Sequence, residues 1–335
     1  MSGTVLVTGG AGFLGRYVVK RLVESGGFAH VKVVDLNVGP GPFEEGSWAG
    51  VETVGGIDVC DYDRLRSEFD RVDCVVHLAG VVSFSLKNKE LLWRVNVDGT
   101  KNVLRAAAEC GAKRFVHVSS VAALGFADDE DVLVDEEFEF DFSIASRYRK
   151  YYMLSKRHAD VEVERRFGEG LGGVVLYPGL MFGPGDRVNS ARWIAAIKAG
   201  KMPFNMPGGT NVVDVRDVAR AVATAAADEN IAGRVLLSGA NMRLKAMNEV
   251  IAEAVGAGGP KVTLPRCLRE AMFRLVLGAE MIAKGKLAVT ADNVDSAFRV
   301  RYFSNAKAKR VLGWEPEIGF EQTVRDTIEW MNAEW

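Results

Sequence analysis

The sequence predicts an α/β fold with a doubly wound parallel sheet that carries helices on both faces. Short apolar runs, typical of buried strands, alternate with longer stretches of helical periodicity through the first half of the chain. A glycine-rich turn follows the first apolar run, residues 4–7, and precedes the first helical stretch, residues 16–23. This alternation is typical of parallel strands joined by crossover helices.

The remaining elements follow in chain order. Strands are predicted where apolar runs end at turn-forming residues, at 31–34, 51–54, 74–80, 114–120, 174–178, 212–215 and 235–238. Helices are predicted at 91–110, 148–167, 191–199, 218–227, 247–255 and 267–284. Gly111 should end the first of these helices. Loops are predicted at 37–50, which is rich in Gly and Pro, and at the acidic stretch 128–141, which is expected to be a solvated flap.

The alternation becomes less regular after Pro178, which suggests two parts of the chain. We expect a Rossmann-type sheet domain at residues 1–176, to which later segments near 205–240 return. Residues 177–335 should form most of a smaller, discontinuous C-terminal lobe that binds substrate.

Composition and charge exclude several classes of protein. Of the 335 residues, 48% are apolar and 26% are charged, which is typical of a globular rather than a disordered chain. The net charge of −2 comes without a basic block, so nucleic-acid binding has no electrostatic support. No metal site is expected, because the cysteines lack ligand spacing; they should be reduced thiols in a cytoplasmic protein, at Cys60, Cys74, Cys110 and Cys267.

Insertion into a membrane is not expected either. The first apolar run leads straight into the glycine turn, without a cleavable signal sequence. The longest late apolar stretch, residues 271–283, is interrupted by Arg274 and Glu280 and is shorter than the roughly 20 residues of a spanning helix. A helix that lies on a membrane surface stays open for this stretch.

The turn Thr8-Gly9-Gly10-Ala11-Gly12-Phe13-Leu14-Gly15 predicts a dinucleotide site. Glycines let the backbone turn tightly and approach a pyrophosphate, and the following helix offers unpaired N–H groups. Asp35 stands 20 residues after Gly15 at a predicted strand end, where an acidic residue binds the ribose 2′-hydroxyl of NAD. A 2′-phosphate would meet a like charge there, so we expect NAD rather than NADP as the cofactor.

Three polar side chains indicate proton transfer. Tyr152 and Lys156 are spaced i, i+4, so on a helix they share one face. A cation beside the phenol would lower its pKa from about 10, which suits an acid/base catalyst. Ser120 ends a predicted strand, and the carboxyl ends of parallel strands face the ligand crevice. Taken singly, each pattern also fits a packing or capping residue.

Several other residues are considered for the site. His77 and His117 lie in buried runs and are expected to be core residues rather than metal ligands or bases. Ser83, Met181 and Phe204 are candidates for the substrate pocket, as is Ser120.

These residues resemble the extended short-chain dehydrogenase/reductase family, which includes NAD-dependent epimerases and dehydratases. Similar motifs extend over nearly the whole chain. They are Thr8-Gly9-x-x-Gly12-x-x-Gly15, Asp58-Val59, His77-Leu78-Ala79-Gly80, residues 95–100, residues 118–125, Tyr152-x-x-Ser155-Lys156, Pro178 with residues 183–186, residues 214–219 and residues 303–316. The segment 119–125 is most similar to the branch of 3β-hydroxysteroid dehydrogenases and dihydroflavonol reductases.

The resemblance implies roles for the residues at matching positions. Ser120, Tyr152 and Lys156 would form the catalytic triad, and Lys156 would also bind the nicotinamide ribose. Asp58 and the Val59 amide would hold the adenine. Further cofactor contacts would come from Gly9, Gly12, Phe13, Leu14, Gly15, Asp35, Leu78, Ala79, Gly80, Asn96, Val118, Tyr152, Tyr177 and Pro178. The chain departs from many relatives at Tyr177, where they have arginine.

The motifs leave three functions open. The first is an NAD-dependent oxidoreductase that interconverts a ketone and a secondary alcohol, hydrophobic or ring-bearing as in a steroid. The second is a nucleotide-sugar epimerase or dehydratase that retains NAD, with Arg187, Arg192 and Lys198 as candidates to bind the diphosphate; the mostly apolar loop 202–207 argues against it. The third is a non-catalytic dinucleotide sensor, but such relatives typically lose the tyrosine or the lysine.

The expected partner is a small-molecule substrate. A homodimer is also conceivable, because helices 91–110 and 148–167 could pair across an interface.

Overall fold

The structure is a computed structural model that describes residues 3–38, 50–283, 287 and 289–334. Its strands are β1 (Thr4–Thr8), β2 (His30–Val34), β3 (Val51–Val54), β4 (Cys74–His77), β5 (Arg114–Val118), β6 (Gly173–Pro178), β7 (Leu180–Phe182), β8 (Phe204–Asn205), β9 (Gly209–Asp214), β10 (Gly233–Leu237), β11 (Ala240–Arg243) and β12 (Val262–Thr263).

Helices connect these strands. They are α1 (Phe13–Ser25), α2 (Tyr62–Ser67), α3 (Lys89–Leu92), α4 (Thr100–Cys110), α5 (Phe142–Arg147), α6 (Tyr151–Gly168), α7 (Ser190–Lys198), α8 (Val215–Ala227), α9 (Leu244–Ala254), α10 (Arg269–Ile282), α11 (Ala291–Phe298), α12 (Ala306–Leu312) and α13 (Phe320–Glu334). Within the described residues, no helix combines the length and the apolar character that a membrane crossing requires.

Seven strands form a parallel sheet in the spatial order β10-β6-β5-β4-β1-β2-β3. The chain runs from β1 towards β3 on one side and from β4 towards β10 on the other. The direction switches between β1 and β4, whose carboxyl ends lead to Gly9 and Leu78. Ligands of open α/β sheets bind at such a switch point.

Helices cover both faces of this sheet, which confirms the predicted doubly wound fold. On one face, α1 and α8 bury Val18 and Val222 against the strands. On the other face, α4 and α6 bury Leu104 and Val163. The strands are therefore apolar on both sides, as the near-continuous hydrophobic runs of a parallel sheet require.

The smaller lobe contains a three-stranded sheet, in the order β11-β9-β7, and the short pair β8 and β12. Its apolar core contains Phe182, Ile194, Met247 and Phe320, contributed by β7, α7, α9 and α13. Between these segments the chain returns to the large sheet, because β10 pairs with β6. The lobe is therefore discontinuous in sequence.

Two predicted helices differ from the structure. The helix predicted at 148–167 begins only at Tyr151, as α6. The preceding Arg149 has a left-handed backbone with φ 51°, which separates α6 from α5. The helix predicted at 91–110 begins at Lys89 and contains a π-helical segment, Trp93–Gly99. Gly111 ends this helix with φ 75°, as predicted.

The acidic stretch 128–141 is the loop that its composition predicts, and most of its acidic side chains are exposed, but two of its residues are fixed by contacts with distant segments. Val134 and Glu136 are buried. Val134 pairs with Phe303, and Glu136 Oε1 accepts a hydrogen bond from the Leu236 backbone N–H at 2.8 Å. These partners lie at least 100 residues away in sequence, so no local pattern indicates them.

Smaller differences concern the ends of elements. The strand predicted at 114–120 ends at Val118, because the Ser120 hydroxyl turns back to accept a hydrogen bond from the Ala122 N–H at 3.2 Å. The short strands β7, β8, β11 and β12 are not expected from the sequence, since two to four residues carry too little alternation. Most of the predicted loop 37–50, and Lys284 at the predicted end of the late helix, lie outside the described residues.

Candidate active site

The turn between β1 and α1 requires glycine at two positions. Gly9 has a φ of 71°, and a Cβ there would lie 2.7 Å from the Ala79 backbone nitrogen. A Cβ at Gly15 would lie 2.3 Å from the Gly9 carbonyl oxygen. Gly12 is the N-cap of α1, and no side chain caps the N–H groups that follow it. The start of this helix therefore offers free donors to a ligand.

Replacing Gly15 with alanine should weaken NADH binding at least about tenfold. The new methyl group must push the start of α1, with its free N–H groups, away from the preceding turn. NADH fluorescence titration measures the effect. Gly278→Ala is the matched control: it lies within α10 and a Cβ there meets nothing within 4 Å. Equal binding by both variants would contradict the expected role of the close backbone contact at Gly15.

A groove of about 430 Å³ opens at the carboxyl ends of the strands around the switch point. Its lining includes eleven residues that the sequence assigned to the cofactor, namely Gly9, Gly12, Phe13, Leu14, Gly15, Asp35, Asp58, Val59, Leu78, Ala79 and Gly80. The groove is also lined by Leu91, Arg94 and Val95, which sequence reasoning missed. These three residues lie in the helix predicted at 91–110, and helical periodicity does not distinguish residues that line a groove from the other residues of a helix.

Two carboxylates in the groove are held by backbone donors. Asp35 Oδ2 accepts a hydrogen bond from the Ala11 N–H at 3.0 Å, and Asp35 Oδ1 accepts one from the Asn37 N–H at 3.2 Å. Asp58 Oδ1 accepts one from the Cys60 N–H at 2.9 Å. Asp35 is thus fixed beside the glycine turn, at the end of β2.

Six residues assigned to the cofactor lie outside the groove lining, namely Asn96, Val118, Tyr152, Lys156, Tyr177 and Pro178. Asn96 lies behind it: its side chain bonds both the N–H and the C=O of Val81, at 2.8 and 3.0 Å, and so fixes the segment after β4. The Tyr177 side chain packs into the core on the face of α4 and α6, and burial raises its pKa well above the ordinary value. Val118 lies within the core and Pro178 lines a second cavity.

The second cavity has a volume of about 200 Å³ and is lined by Ser120, Tyr152 and Met181. Phe13 lines both this cavity and the groove, so the two adjoin. The Phe84 ring packs edge-on against Tyr152, with their centroids 5.8 Å apart.

Two residues proposed for the substrate pocket do not line this cavity. Ser83 lies between Val82 and Phe84, which do line it, and its hydroxyl accepts a hydrogen bond from Asn88 Nδ2 at 2.9 Å. Phe204 lies in β8 of the smaller lobe and is 47% exposed. The cavity is also lined by residues that the sequence did not indicate, among them Leu180, Asp292, Ser296, Arg301 and Phe303.

Burial dominates the electrostatics of the three candidate catalytic residues. It raises the pKa of Tyr152 to about 12, against the lowering effect of the Ser120 hydroxyl that faces the phenol. The expected lowering of this pKa by Lys156 is not what the structure shows. Burial also lowers the pKa of Lys156, although Asp160 one helical turn later opposes this effect. Lys156 Nζ donates to the Val118 carbonyl oxygen at 3.4 Å.

His77 and His117 are core residues, as predicted, and stack with ring centroids 5.4 Å apart. His77 Nδ1 lies 2.7 Å from Thr8 Oγ1, and Nε2 lies 2.9 Å from Thr100 Oγ1. The Thr100 hydroxyl donates its proton to the Asn96 carbonyl oxygen, so it accepts from His77 Nε2–H. Burial lowers the pKa of His77 well below the ordinary value, so the ring is neutral at neutral pH.

The free energy of unfolding should fall as the pH drops below about 6.5, by up to about 1.4 kcal/mol per pH unit for one proton. The unfolded chain takes up the proton at the ordinary pKa of histidine, whereas folded His77 resists it. His77→Gln should lower by one the number of protons that the chain takes up on unfolding. Urea unfolding between about pH 5 and 8 measures this number from the slope of the free energy of unfolding against pH. His158→Gln, at an exposed position, should leave it unchanged. A pH dependence that both variants share with the wild type would contradict the assignment.

Sequence relatives of the chain are dehydrogenases. Residues 6–234 match the 3-beta hydroxysteroid dehydrogenase/isomerase family. The 3beta-hydroxysteroid-dehydrogenase/decarboxylase isoform 2 of Arabidopsis thaliana is 27% identical over 357 residues, which cover 97% of this chain and 61% of the relative. The sterol-4-alpha-carboxylate 3-dehydrogenase, decarboxylating, of Mus musculus is 26% identical over 336 residues, which cover 96% of this chain and 89% of the relative. The chain thus spans about three fifths of the length of the Arabidopsis protein.

Solved structures share the whole fold. The crystal structure of gox2253 superposes with a TM-score of 0.79 at 26% identity, over 99% of this chain and 98% of that one. The UDP-glucose 4-epimerase of Thermus thermophilus, in complex with NAD, superposes with a TM-score of 0.75 at 24% identity, over 99% of this chain and 100% of that one. The family match covers more than half of the chain and confirms the resemblance seen in the motifs. This chain belongs to the 3-beta hydroxysteroid dehydrogenase/isomerase family.

Proposed function

We propose that this protein is an NAD-dependent oxidoreductase that interconverts a secondary alcohol and a ketone. One observation carries the proposal: Ser120 and Tyr152 line a small cavity that adjoins, at Phe13, the groove below the glycine turn. A substrate oxygen in the cavity would thus lie beside a proton donor and next to a groove that suits a dinucleotide.

The groove residues fit NAD, the dinucleotide with which the Thermus epimerase forms its complex. The N–H groups at the start of α1 would hold the pyrophosphate, since added Cβ atoms at Gly9 and Gly15 would fill the turn. Asp35 would bind the ribose 2′-hydroxyl, and Asp58 with the Val59 amide would hold the adenine. The cofactor, when bound, would take up a hydride as NAD and supply one as NADH.

The chain's own residues would supply the proton and the positioning. Because burial raises the pKa of Tyr152 to about 12, its phenol is protonated at neutral pH and can donate to a ketone oxygen. The Ser120 hydroxyl would donate a second hydrogen bond to the same oxygen. In the direction of alcohol oxidation, the phenolate form of Tyr152, which donation to a ketone leaves behind, would accept the alcohol proton. Lys156 is held on the same helix face one turn later, where it would bind the ribose next to the reacting carbon.

The cavity walls favour a hydrophobic or ring-bearing substrate. Apolar side chains from both parts of the molecule form most of its surface, among them Phe84, Leu180, Met181 and Phe303. The names of the Arabidopsis and mouse relatives describe steroid and sterol substrates, which agrees with this surface.

The structure does not support the residues that were expected to bind the diphosphate of a nucleotide sugar. All three candidate ligands, Arg187, Arg192 and Lys198, are exposed. Arg187 Cζ lies over the Trp330 ring, 5.7 Å from its centroid. None of the three is among the described residues that line either space. A non-catalytic sensor is disfavoured because both Tyr152 and Lys156 are present and buried beside the cavity.

A spectrophotometric assay tests the proposed function. NADH should be oxidised in the presence of cyclic and steroidal ketones, and NAD should be reduced in the presence of the corresponding alcohols. UDP-glucose should give neither net NADH nor an epimerised sugar. Epimerisation of UDP-glucose without turnover of any ketone would instead support the second function, and the absence of both activities would favour the sensor.

Replacing Asp35 with serine should lower the preference for NADH over NADPH at least about tenfold, because the variant no longer presents a negative charge to the 2′-phosphate. The ratio of kcat/KM for the two cofactors measures this preference. Asp63→Ser removes an exposed carboxylate at the start of α2 and should leave the ratio unchanged. An equal ratio in the wild type and the Asp35 variant would contradict the assignment of Asp35 to the ribose.

A further inference from the structure

Arg301 is a half-buried cation that lines the substrate cavity and has no role in the proposed mechanism. It follows α11 on the segment that crosses from the smaller lobe to the large sheet. There the backbone N–H of Arg301 donates to the Gly209 carbonyl oxygen at 3.1 Å. Its side chain lines the same cavity as Ser120 and Tyr152. Within the residues that the structure describes, Arg301 Nε is buried without a hydrogen-bond partner, and no carboxylate forms a salt bridge with the guanidinium.

The carboxylates near Arg301 are committed to other cations. Asp292 and Asp295 both bind Lys150 Nζ, each at 2.9 Å. Asp295 Oδ2 also accepts from Arg299 Nε at 2.7 Å.

The same network continues to Asp128, which binds Arg299 and Arg269, each at 2.9 Å. Three carboxylates therefore face three cations, and Arg301 is a fourth cation beside a balanced cluster. The surplus positive charge lies at the cavity wall.

A surplus cation at a cavity wall is only partly hydrated. Arg301 is half-buried, and its Nε is buried without a hydrogen-bond partner among the described residues. Burial lowers the pKa of Arg301, and the attraction of Asp292 and Asp295 does not offset it. Because removing the hydration of a cation costs free energy, an unpaired guanidinium that lines the cavity favours an anion as its partner there.

We infer that Arg301 binds an anionic oxygen group of the substrate, a carboxylate or a phosphate, close to the carbon that is oxidised or reduced. The inference rests on the proposed function, because it takes this cavity to be the substrate site. A planar guanidinium pairs with both kinds of anion through two parallel hydrogen bonds. The rest of the substrate would contact the apolar walls.

Arg301 and Tyr152 line the same cavity, of about 200 Å³. An anion at Arg301 and an oxygen at Tyr152 would therefore belong to one substrate. The inference names an oxo or hydroxy acid, or a phosphate ester, as the substrate that is preferred over a neutral ketone or alcohol.

A matched pair of ketones tests the inference: 3-oxocyclohexanecarboxylate and its neutral methyl ester. Binding in the presence of NADH is followed by the shift in unfolding temperature and by calorimetry, and turnover by NADH oxidation. In the wild type the acid should bind at least about tenfold more tightly than the ester, as expected for a buried charged pair. Arg301→Met should abolish this preference, mainly through the KM of the acid, and Arg301→Lys should retain part of it. Arg274→Met, at an exposed position of α10, is the matched control and should keep the wild-type preference.

The fold of the Arg301 variant is checked independently. Because Arg301 forms no salt bridge among the described residues, Arg301→Met should unfold at the same temperature as the wild type or at a higher one. UDP-glucose is the third probe in the binding assay. Tighter binding of UDP-glucose than of the keto acid, lost in Arg301→Met, would identify phosphate as the anion; the reverse order would identify carboxylate.

The outcomes separate this inference from the proposed function. Turnover of both ketones with no preference for the acid, or a preference that survives in Arg301→Met, would overturn the anion site and leave the oxidoreductase intact. Binding of the acid that depends on Arg301, without turnover of either ketone, would support the anion site and count against the oxidoreductase. A lower unfolding temperature of Arg301→Met together with unchanged ligand preference would show that Arg301 is structural.

Discussion

Replacing Tyr152 with phenylalanine should lower kcat for ketone reduction about 10²–10⁴-fold, the usual contribution of a positioned acid or base. The variant keeps the ring that packs against Phe84 at the cavity wall and loses only the hydroxyl. NADH oxidation under saturating ketone measures kcat. NADH binding, measured by fluorescence, should stay within about threefold of the wild type, since a conservative change outside the phosphate site removes little binding.

The neighbouring tyrosine is the matched control. Tyr151 packs edge-on against Trp93 and does not line the cavity within the described residues, so Tyr151→Phe should keep kcat within about twofold. Unchanged turnover in Tyr152→Phe would remove the proton donor from the proposed mechanism. Equal losses in both variants would indicate a packing defect of α6 instead of lost chemistry.

Replacing Lys150 with methionine should destabilise the protein by about 3–5 kcal/mol, because it leaves buried carboxylates without their cation. Lys150 is fully buried, and its Nζ binds Asp292, Asp295 and the Ser296 hydroxyl, the last at 2.8 Å. Methionine matches the length of the side chain, so packing is largely kept. Urea unfolding at neutral pH measures the change in the free energy of unfolding.

Surface and paired substitutions control this result. Lys245→Met removes an exposed lysine of α9 and should change stability by less than about 0.5 kcal/mol. Adding Asp292→Asn to Lys150→Met should recover part of the loss, because one of the unpaired charges is then gone. A loss below about 1 kcal/mol in Lys150→Met would show that the ion pairs are solvated and not buried.

The residues that the sequence assigned to the cofactor gather in one groove more completely than those that it assigned to the substrate gather in the second cavity. The groove is built from turns that directly follow β1 to β4, so its residues stand at fixed distances from glycines and strand ends. Tyr177 is one of the assigned residues that lie outside the groove: a strand alternates its faces, and this side chain points into the core. The cavity, in contrast, combines Phe84, Met181 and Arg301 from segments that are distant in the chain. Phe204 was assigned to it from its place after strands and loops near the expected cleft, and it lies in β8 of the smaller lobe.

By itself the sequence determined the doubly wound sheet, the glycine turn and the order of Ser120, Tyr152 and Lys156, because hydrophobic periodicity and short motifs are local properties. Only the tertiary structure decided that burial raises the pKa of Tyr152 to about 12 instead of lowering it, that Val134 of the acidic stretch pairs with Phe303, and that Arg301 forms no salt bridge among the described residues. Burial and charge balance depend on which distant segments come into contact, and no local sequence pattern indicates those contacts.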